Sequence, residues 1–200
     1  MKLKLAIKRL MDAALSAALL ILLAPVFATI AILVKTTSRG PALFPCDWIG
    51  KDGRPFRGYK FRSMVTGADE LEASLQHQNE MTGPAFKLTN DPRVTPLGRV
   101  LRKYSLDELP QLLSVVRGDM SLVGPRPYLE REVKDMEGQE IVILRATPGM
   151  TGMWQVSDRN TTGFSERLKM DVTYVRNWSP WLDIYILART FEVVIRGTGV

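Results

Sequence analysis

The apolar positions of this chain form one long uninterrupted run near its start and short periodic stretches after it. Residues 13–34 carry no charged side chain. A membrane-spanning helix needs roughly 20 apolar residues, so the run is long enough for one. Pro25 lies within it, where a proline removes a backbone hydrogen bond and bends a helix. The pattern therefore predicts an apolar helix with a bend.

The charges around this run predict how it sits in a membrane. Positive flanks favour the cytoplasmic side, and both flanks are positive: Lys8 and Arg9 precede the run, and Lys35 and Arg39 follow it. A bent helix that enters and leaves by one face satisfies both flanks, whereas a straight span satisfies one. No small-residue cleavage site ends the run, which argues against a signal peptide. The residues leave a straight span and a re-entrant hairpin open.

The rest of the sequence predicts a mostly helical α+β fold with one small β-hairpin. Strand-like residues 42–49 and 56–64 flank an Asp-Gly turn signal at 50–53. Residues 165–177 are predicted to form an amphipathic helix, because the apolar residues Leu168, Val172 and Val175 recur there at helical spacing. Further helices are predicted at 68–80, 97–103, 106–116, 130–137 and 181–196.

Three aromatic residues, Trp178, Trp181 and Tyr185, lie close together around the start of the last predicted helix. Aromatic rings with a polar edge are typical of the membrane–water interface, which would place this helix along the membrane surface. Core aromatics at helical spacing are the alternative, and the pattern leaves both interpretations open.

Composition excludes several kinds of chemistry. The chain has one cysteine, Cys46, and one histidine, His77, so a disulfide within the chain and a Cys/His zinc site are excluded. Nothing near His77 suggests a Ser-His-Asp triad. Asp, Glu, Lys and Arg remain for catalysis, and a metal with oxygen ligands would be Mg²⁺ or Mn²⁺. The net charge of +6 favours an anionic partner: nucleic acid, a phosphate substrate or an anionic lipid surface.

Two adjacent carboxylates, Asp107 and Glu108, are the strongest candidates for chemistry. Local structure alone can explain them, because Ser105 and Glu108 have the spacing of a capping box and Asp107 is an alternative N-cap. Nearby cations favour function instead. Arg102 lies shortly upstream, and Arg126 stands between two prolines that fix its backbone. Arginine presents a rigid fork to phosphate oxygens, so the set favours a divalent metal and a phosphoryl group.

Several motifs, taken in order, resemble those of the bacterial sugar transferases, the monotopic polyprenyl-phosphate phosphoglycosyl transferases. They are KFRSM at 60–64, SLDELPQ at 105–111, GDMSLVGPRP at 118–127 and PGMTG at 148–152. The resemblance runs from about residue 8 to the C-terminus. NDPR at 90–93 and WQV at 154–156 resemble the family's hexose-1-phosphate transferases, whose longer members carry extra N-terminal membrane helices.

The resemblance implies transfer of a hexose-1-phosphate from a UDP-sugar to polyprenyl (undecaprenyl) phosphate, with release of UMP. The family aspartate that matches Asp107 is the nucleophile and forms a phosphosugar ester, and Glu108 matches the glutamate that supports it. Mg²⁺, or Mn²⁺ in its place, is expected to bind at both acids. The candidates for binding phosphate or nucleotide are Arg102, Arg126, Lys60, Arg62, Arg145 and Arg159.

The resemblance also implies a location. Residues 1–40 are expected to form a re-entrant membrane helix bent at Ala24 and Pro25, and residues 41–200 a catalytic domain on the cytoplasmic face of the bacterial inner membrane. The expected partners are the UDP-sugar, the polyprenyl phosphate, the lipid bilayer and, as one option, a second copy in a homodimer, but no nucleic acid. The product would enter exopolysaccharide, O-antigen or glycoconjugate synthesis.

The chain departs from the family pattern at several positions. Ala24 stands where many relatives have a serine, and Ser114 where asparagine is usual. Cys46 and Trp48 belong to a stretch where a Gln-x-Arg pattern is common, and Asp158 stands where glycine is typical. These departures concern the choice of donor more than the central chemistry.

A membrane-tethered nucleic-acid-binding protein is the alternative to an enzyme. Residues 97–116 have the pattern of a helix–turn–helix whose basic residues would contact phosphates. Asp107 and Glu108 argue against it, because they would open the second helix, where DNA presents negative potential. A purely structural anchoring protein, to which the acids are dispensable, is a third interpretation.

Overall fold

The computed structural model describes residues 2–80, 83–84, 86–157 and 163–197. The α-helices of this part are α1 (Lys2–Leu22), α2 (Ala24–Thr37), α3 (Ala68–Leu75), α4 (Pro96–Lys103), α5 (Leu112–Arg117), α6 (Glu130–Lys134), α7 (Glu140–Ile143), α8 (Phe164–Arg176) and α9 (Pro180–Arg196). The strands are β1 (Leu43–Ile49), β2 (Pro55–Phe61), β3 (Ser121–Val123) and β4 (Gly149–Thr151), and short 3₁₀ helices cover Lys51–Gly53, Gln76–Gln78 and Leu106–Gln111. The predicted mostly helical α+β class is confirmed.

β1 and β2 form the predicted antiparallel hairpin, with Leu43 opposite Phe61. Asp52 in its turn has a left-handed backbone (φ 57°), a conformation that aspartate adopts more readily than most residues. β2 packs against the 3₁₀ helix Leu106–Gln111. The hairpin therefore forms one wall of the region around the carboxylate pair.

β3 and β4 form a second, parallel pair that was not predicted from the sequence. Gly124 follows β3 directly, and its N–H donates a hydrogen bond to the Thr151 carbonyl at 2.9 Å. A Cβ on Gly149 would lie 2.1 Å from the Gly124 nitrogen, so glycine is required for the backbones to approach this closely. This contact holds the segment that carries Arg126 beside β4.

α1 and α2 meet at a bend of 62°, and Pro25 lies at the beginning of α2. Thr29 Oγ1 donates a hydrogen bond to the Pro25 carbonyl at 2.9 Å, so a side chain satisfies part of the backbone near the bend. Among the described residues, no single helix is both long and apolar enough to cross a membrane, whereas α1 and α2 together meet that test of length and composition.

The first half of α1 is fixed to the rest of the chain by buried charged side chains. Lys8 Nζ lies 2.6 Å from Asp183 Oδ2 on α9, and Ser121 of β3 donates a hydrogen bond to Asp12 at 2.6 Å. Tyr174 of α8 donates to the other oxygen of Asp183 at 2.8 Å. A buried charge is costly to leave unpaired, so these contacts hold α1 against α8, α9 and β3. The predicted boundary at residue 40, between a membrane-inserted segment and a catalytic domain, stays a prediction.

α9 presents large apolar side chains to the solvent. Trp181 is 78% exposed and Phe191 70%, and Tyr185 is also exposed. Trp178 is half-buried and donates a hydrogen bond to Asp183. The interpretation of Trp181 and Tyr185 as core residues is therefore wrong. Their exposure suits a helix that lies against a lipid surface.

The helix–turn–helix alternative is not supported. Residues 106–111 form a 3₁₀ helix, and the short α5 that follows buries Leu112, Ser114 and Val115. A recognition helix has to be exposed to enter a groove of DNA. α5 instead packs against α1 and β3.

Candidate active site

The carboxylate pair lies in the 3₁₀ helix Leu106–Gln111, directly after a strained residue. Ser105 adopts a left-handed backbone (φ 54°), which is uncommon for a residue with a side chain. Ser105 is the N-cap residue of this helix, as the capping-box interpretation requires, but its side chain makes no capping hydrogen bond among the described residues. The helix begins before Asp107, so the interpretation of Asp107 as the N-cap is wrong. Asp107 is only 7% exposed. A buried acid without a capping role, next to a strained residue, is typical of a functional site.

Glu108 faces the β-hairpin, where Lys60 of β2 lies with its Nζ 2.6 Å from Glu108 Oε1. Both side chains are partly buried, so this ion pair is screened less by water than a surface pair. Lys60 Nζ also lies 5.7 Å from the centre of the Trp48 ring, within the range of a cation–π contact. The hairpin thus places the Lys60 ammonium group, restrained by Glu108 and Trp48, beside the carboxylate pair.

The surroundings of Asp107 have opposing effects on its pKa. Burial raises the pKa of Asp107 and Glu108 raises it further, whereas Lys60 and Arg102 lower it. Arg102 is half-buried, and its Nε donates a hydrogen bond to Ser63 Oγ at 3.0 Å. Burial lowers the pKa of Arg102, and the charge of Asp107 opposes that effect. The two cations therefore favour the ionised form of Asp107 against the cost of its burial.

Arg126 follows β3, and α8 holds its backbone. Its N–H donates a hydrogen bond to Asp171 Oδ2 at 3.3 Å, and Tyr128 Oη donates to the same oxygen at 2.6 Å. The central guanidinium carbon of Arg126 lies 5.3 Å from the centre of the Trp154 ring. Backbone and side chain are therefore both restrained, as the two flanking prolines led us to expect.

The structure brings several predicted site residues together. Lys60, Glu108 and Arg126 line one small recess, and Asp107 and Arg102 interact electrostatically beside them. Three cations that are separated along the chain thus lie near one adjacent pair of acids. Each cation comes from a different structural element, so positive charge reaches the carboxylate pair from β2, from α4 and from the segment after β3.

The other predicted phosphate ligands are placed differently. Arg62 is buried, and its Nη2 donates hydrogen bonds to the carbonyls of Val34 and Ser38 at 3.2 and 2.9 Å. The structure therefore uses Arg62 to join β2 to the end of α2 and does not bring it to the carboxylate pair. Arg145 is exposed in the turn after α7. Arg159 and the departure at Asp158 lie outside the described residues.

Two buried charged residues of α8 were missed by the sequence reasoning. Asp171 is fully buried, and Arg167 is buried with its Nη2 2.9 Å from Glu132 Oε1. The Arg167 guanidinium lies 4.7–5.2 Å from the centres of three rings, those of Tyr128, Trp154 and Phe164. Burial raises the pKa of Asp171 to about 6, against the hydrogen bond from Tyr128 and the charge of Arg167. Arg167 and Asp171 are four residues apart, which places them on one face of a helix, and the apolar Leu168 lies between them. This pattern was the signal available in the sequence.

The motif at 90–93 has a structural role. Arg93 is buried, with its Nη2 2.7 Å from Asp91 Oδ2 and its Nη1 3.0 Å from Glu72 Oε2 on α3. Its guanidinium also packs on the Phe86 ring at 4.6 Å. These contacts attach the loop before α4 to α3.

The donor groups fit a divalent metal of the kind that phosphoryl transfer uses. No group of three or more His, Cys, Asp and Glu side chains within the described part of the chain could hold an ion. Asp107 and Glu108 offer two carboxylates, and Mg²⁺ in such sites is commonly bound through one or two carboxylates together with substrate phosphates and water. A buried acid whose pKa is raised also gains from a cation beside it.

Three of the departures from the family pattern are buried or half-buried near the site. Trp48 lines the recess, and a Cβ on Gly58 of the opposite strand would lie 2.4 Å from its ring. Cys46 is half-buried, and burial raises the pKa of its thiol. Ser114 is fully buried, and its Oγ has no hydrogen-bond partner among the described residues. One wall of the recess is therefore a large apolar ring.

Comparisons with known proteins show which sequences this chain is similar to. The chain is 48% identical to the galactosyl transferase CpsE of Streptococcus agalactiae over 161 residues, or 80% of this chain and 36% of that protein. It is 43% identical to the undecaprenyl-phosphate galactose phosphotransferase of Salmonella typhimurium over 197 residues, or 96% of this chain and 41% of that protein. It is 41% identical to the exopolysaccharide production protein ExoY of Rhizobium meliloti over 196 residues, or 96% of this chain and 87% of that protein.

The chain thus spans less than half of the length of the first two relatives and most of the third. A model of the family described as bacterial sugar transferase matches residues 3–197, which include both acids, the cations around them and the bent helix pair. The chain belongs to the bacterial sugar transferase family.

Proposed function

We propose that the chain transfers a hexose-1-phosphate from a UDP-hexose to polyprenyl phosphate, with Asp107 as the nucleophile. The observation that carries this proposal is the placement of Asp107, which is buried, has no capping role and is flanked by Lys60 and Arg102. The names of the relatives support the substrate class, since one is an undecaprenyl-phosphate galactose phosphotransferase. UDP-galactose and UDP-glucose are the donors we expect first.

In the first step, a carboxylate oxygen of Asp107 attacks the phosphorus that carries the hexose. The bond between this phosphorus and the bridging oxygen of the diphosphate breaks, and UMP leaves with the electron pair. The hexose-1-phosphate is then an acyl phosphate ester of Asp107. Dividing the transfer in this way lets a soluble donor leave before a lipid acceptor arrives.

In the second step, a phosphate oxygen of polyprenyl phosphate attacks the same phosphorus. The bond from phosphorus to the Asp107 oxygen breaks, and the carboxylate returns to its starting state. The product is polyprenyl diphosphate hexose. The sugar–oxygen bond is untouched in both steps, so the configuration at the anomeric carbon is retained.

Repulsion between a carboxylate and an anionic diphosphate is the main electrostatic obstacle, and the chain's cations counter it. Lys60 and Arg102 favour the ionised form of Asp107 against its burial, and Arg126, which lines the recess, would bind phosphate oxygens of the donor. Asp107 and Glu108 would hold Mg²⁺ or Mn²⁺, which when bound supplies further positive charge to the diphosphate and the departing UMP.

We further propose that α1 and α2 insert into the cytoplasmic leaflet of the bacterial inner membrane as a re-entrant hairpin. Their 62° bend and basic flanks support a hairpin with both ends on one side. The exposed Trp181 and Tyr185 of α9 would lie at the same interface. The phosphate of the acceptor is held at that depth by its lipid chain, so it meets the aspartyl intermediate there.

The test is an assay of UMP release in detergent micelles or lipid nanodiscs that contain undecaprenyl phosphate. We expect release only with a UDP-hexose and a divalent cation present. Asp107→Asn should abolish turnover, because an amide is a far poorer nucleophile than a carboxylate. Asp47→Asn is the matched control, since Asp47 is an exposed acid of the neighbouring hairpin, and it should keep full activity.

The covalent intermediate requires a separate measurement. Wild-type protein given donor without acceptor should gain the mass of one hexose phosphate, mapped to the peptide that contains Asp107. Substantial turnover by folded Asp107→Asn, or an adduct on another residue, would contradict the nucleophile assignment.

A further inference from the structure

Beside the carboxylate pair lies a small recess whose lining includes two neutral amide side chains, Gln111 and Gln155. Its volume is about 10 Å³, which is about the space of a single water molecule or hydroxyl group. Its lining residues are Trp48, Lys60, Glu108, Gln111, Arg126, Pro127, Met150 and Gln155. A sugar ring or a uracil is too large for this space, whereas one hydroxyl group of a sugar fits.

The Gln155 side chain is buried without a complete set of partners. It is 8% exposed, and its Oε1 has no hydrogen-bond partner among the described residues. A Cβ on Gly152 would lie 3.1 Å from this oxygen, so the chain's own backbone is close on that side. Buried polar atoms in folded proteins are nearly always hydrogen-bonded, and a group left without a partner at a site is a candidate ligand contact.

The chemistry of an amide selects the kind of ligand. A 180° rotation about its last bond exchanges the oxygen and nitrogen of glutamine, so its side chain can accept or donate. A hydroxyl group also does both and satisfies either orientation. Phosphate oxygens are only acceptors and are better matched by Arg126 and Lys60, which line the same recess. The neutral amide therefore complements the neutral part of the donor.

We infer that Gln155 binds one hydroxyl group of the hexose and thereby takes part in the choice of sugar. This inference depends on the proposed function, because it assumes a UDP-hexose at the site. Glu108 also lines the recess and directly follows Asp107, the nucleophile. The hydroxyl bound here therefore belongs to the part of the hexose near its phosphate, where a hydrogen bond also orients the reacting phosphorus.

The experiment compares wild-type protein with Gln155→Leu, which has a similar size but no hydrogen-bonding group. We expect kcat/KM for UMP release from the best UDP-hexose to fall about tenfold or more in the variant. With the matching set of monodeoxy UDP-hexoses, one donor should be about tenfold worse for the wild type and no worse for the variant than the parent sugar. Gln78→Leu, a change at an exposed glutamine, should behave as wild type for every donor.

Inhibition by UMP tests whether Gln155 contacts the hexose or the UMP part of the donor. UMP lacks the hexose, so its inhibition constant should be the same for wild type and Gln155→Leu within about twofold. If the inhibition constant of UMP rises by the same factor by which kcat/KM falls, Gln155 contacts the ribose or supports the whole site. That result would overturn the assignment. If Gln155→Leu does not fold, as judged by its thermal midpoint, Gln155→Met replaces it in the same comparison.

The remaining outcomes separate this assignment from the proposed function. If Gln155→Leu uses every donor as well as the wild type does, or loses the same factor with each monodeoxy donor, Gln155 does not bind a hexose hydroxyl. If the wild-type protein releases UMP from no UDP-hexose, the donor class itself is wrong, and the assignment of Gln155 falls with it.

Discussion

Lys60 Nζ lies 2.6 Å from Glu108 Oε1, and this contact joins the β-hairpin to the 3₁₀ helix that carries Asp107. The same lysine lowers the pKa of Asp107 against the effect of burial. One side chain of β2 therefore contacts Glu108 and also favours the ionised form of Asp107. Neither role is visible along the sequence, where 48 positions separate Lys60 from Glu108.

Replacing Lys60 with methionine should lower kcat for UMP release by about 100-fold, because a preorganised cation beside the developing charge is lost. The measurement is steady-state kinetics with saturating donor and acceptor. Arg57→Met is the matched control, since Arg57 lies on the same strand but forms an exposed pair with Asp47. Exposed pairs contribute little, so this variant should stay within about twofold of the wild type. Equal losses in both variants would show that the strand, and not the charge at Lys60, is what matters.

Asp171 should make the fold less stable as the pH rises. Burial raises its pKa from 3.8 to about 6, so the folded state holds this proton more tightly than the unfolded state does. The stabilisation is therefore complete below about pH 4 and is lost as the pH rises through 6. From pH values well below 4 to values well above 6, the wild type should lose about 3 kcal/mol of unfolding free energy in total relative to Asp171→Asn, which has no proton to release.

Urea unfolding of wild type and Asp171→Asn in detergent at pH 4, 5, 6 and 7 measures this effect. Other titrating groups change stability in both proteins, so the difference between the two curves isolates Asp171. The asparagine keeps an oxygen that can accept the hydrogen bond from Tyr128. Parallel curves for the two proteins over this pH range would contradict the raised pKa.

Replacing Gly149 with alanine should disrupt the parallel β3–β4 pair. Its Cβ would lie 2.1 Å from the Gly124 nitrogen, and the atom it meets is backbone that cannot rotate away. We expect a loss of more than about 2 kcal/mol in unfolding free energy, and a drop in activity because Arg126 follows β3, the strand that pairs with β4. Gly138→Ala is the control: its Cβ meets nothing within 4 Å, and only its positive φ of 86° should cost about 1 kcal/mol. Equal costs for the two variants would refute the role of the close approach.

The two ends of the bent helix pair should be accessible from one side of the membrane. Cys46 is the only cysteine of the chain, so Cys46→Ser provides a background for single-cysteine labelling. Lys2→Cys and Arg39→Cys should both resist a membrane-impermeant maleimide added to spheroplasts and both react in inverted vesicles. Opposite behaviour of the two positions would show a straight span and rule out the hairpin.

Elements with a strong local signal were predictable from the sequence. The Asp-Gly pair at 52–53 located the hairpin, and the apolar spacing of Leu168 and Val172 located α8. Pro25 located the break between α1 and α2. In each case the residues that specify the structure lie next to one another, so no knowledge of the tertiary fold was needed.

Features set by tertiary contacts were not predictable in this way. β3 and β4 have three residues each, too few for a period to be visible, and their pairing depends on two glycines far apart in the sequence. Glu108 matched a capping box locally, yet its carboxylate pairs with Lys60 of the hairpin. Arg167 and Asp171 belong to residue types that are usually solvated, and only the fold shows that they are buried.

The ion pair of Lys8 with Asp183 has a consequence for how the chain would meet the lipid acceptor that we propose. If α1 and α2 insert as proposed, this pair and the hydrogen bond from Ser121 to Asp12 make the anchor and the catalytic body one rigid unit. The catalytic part of such a unit cannot move toward or away from the membrane independently of the anchor. The distance between Asp107 and the membrane surface is then fixed by the fold, and the lipid acceptor has to reach the site by lateral diffusion in the membrane.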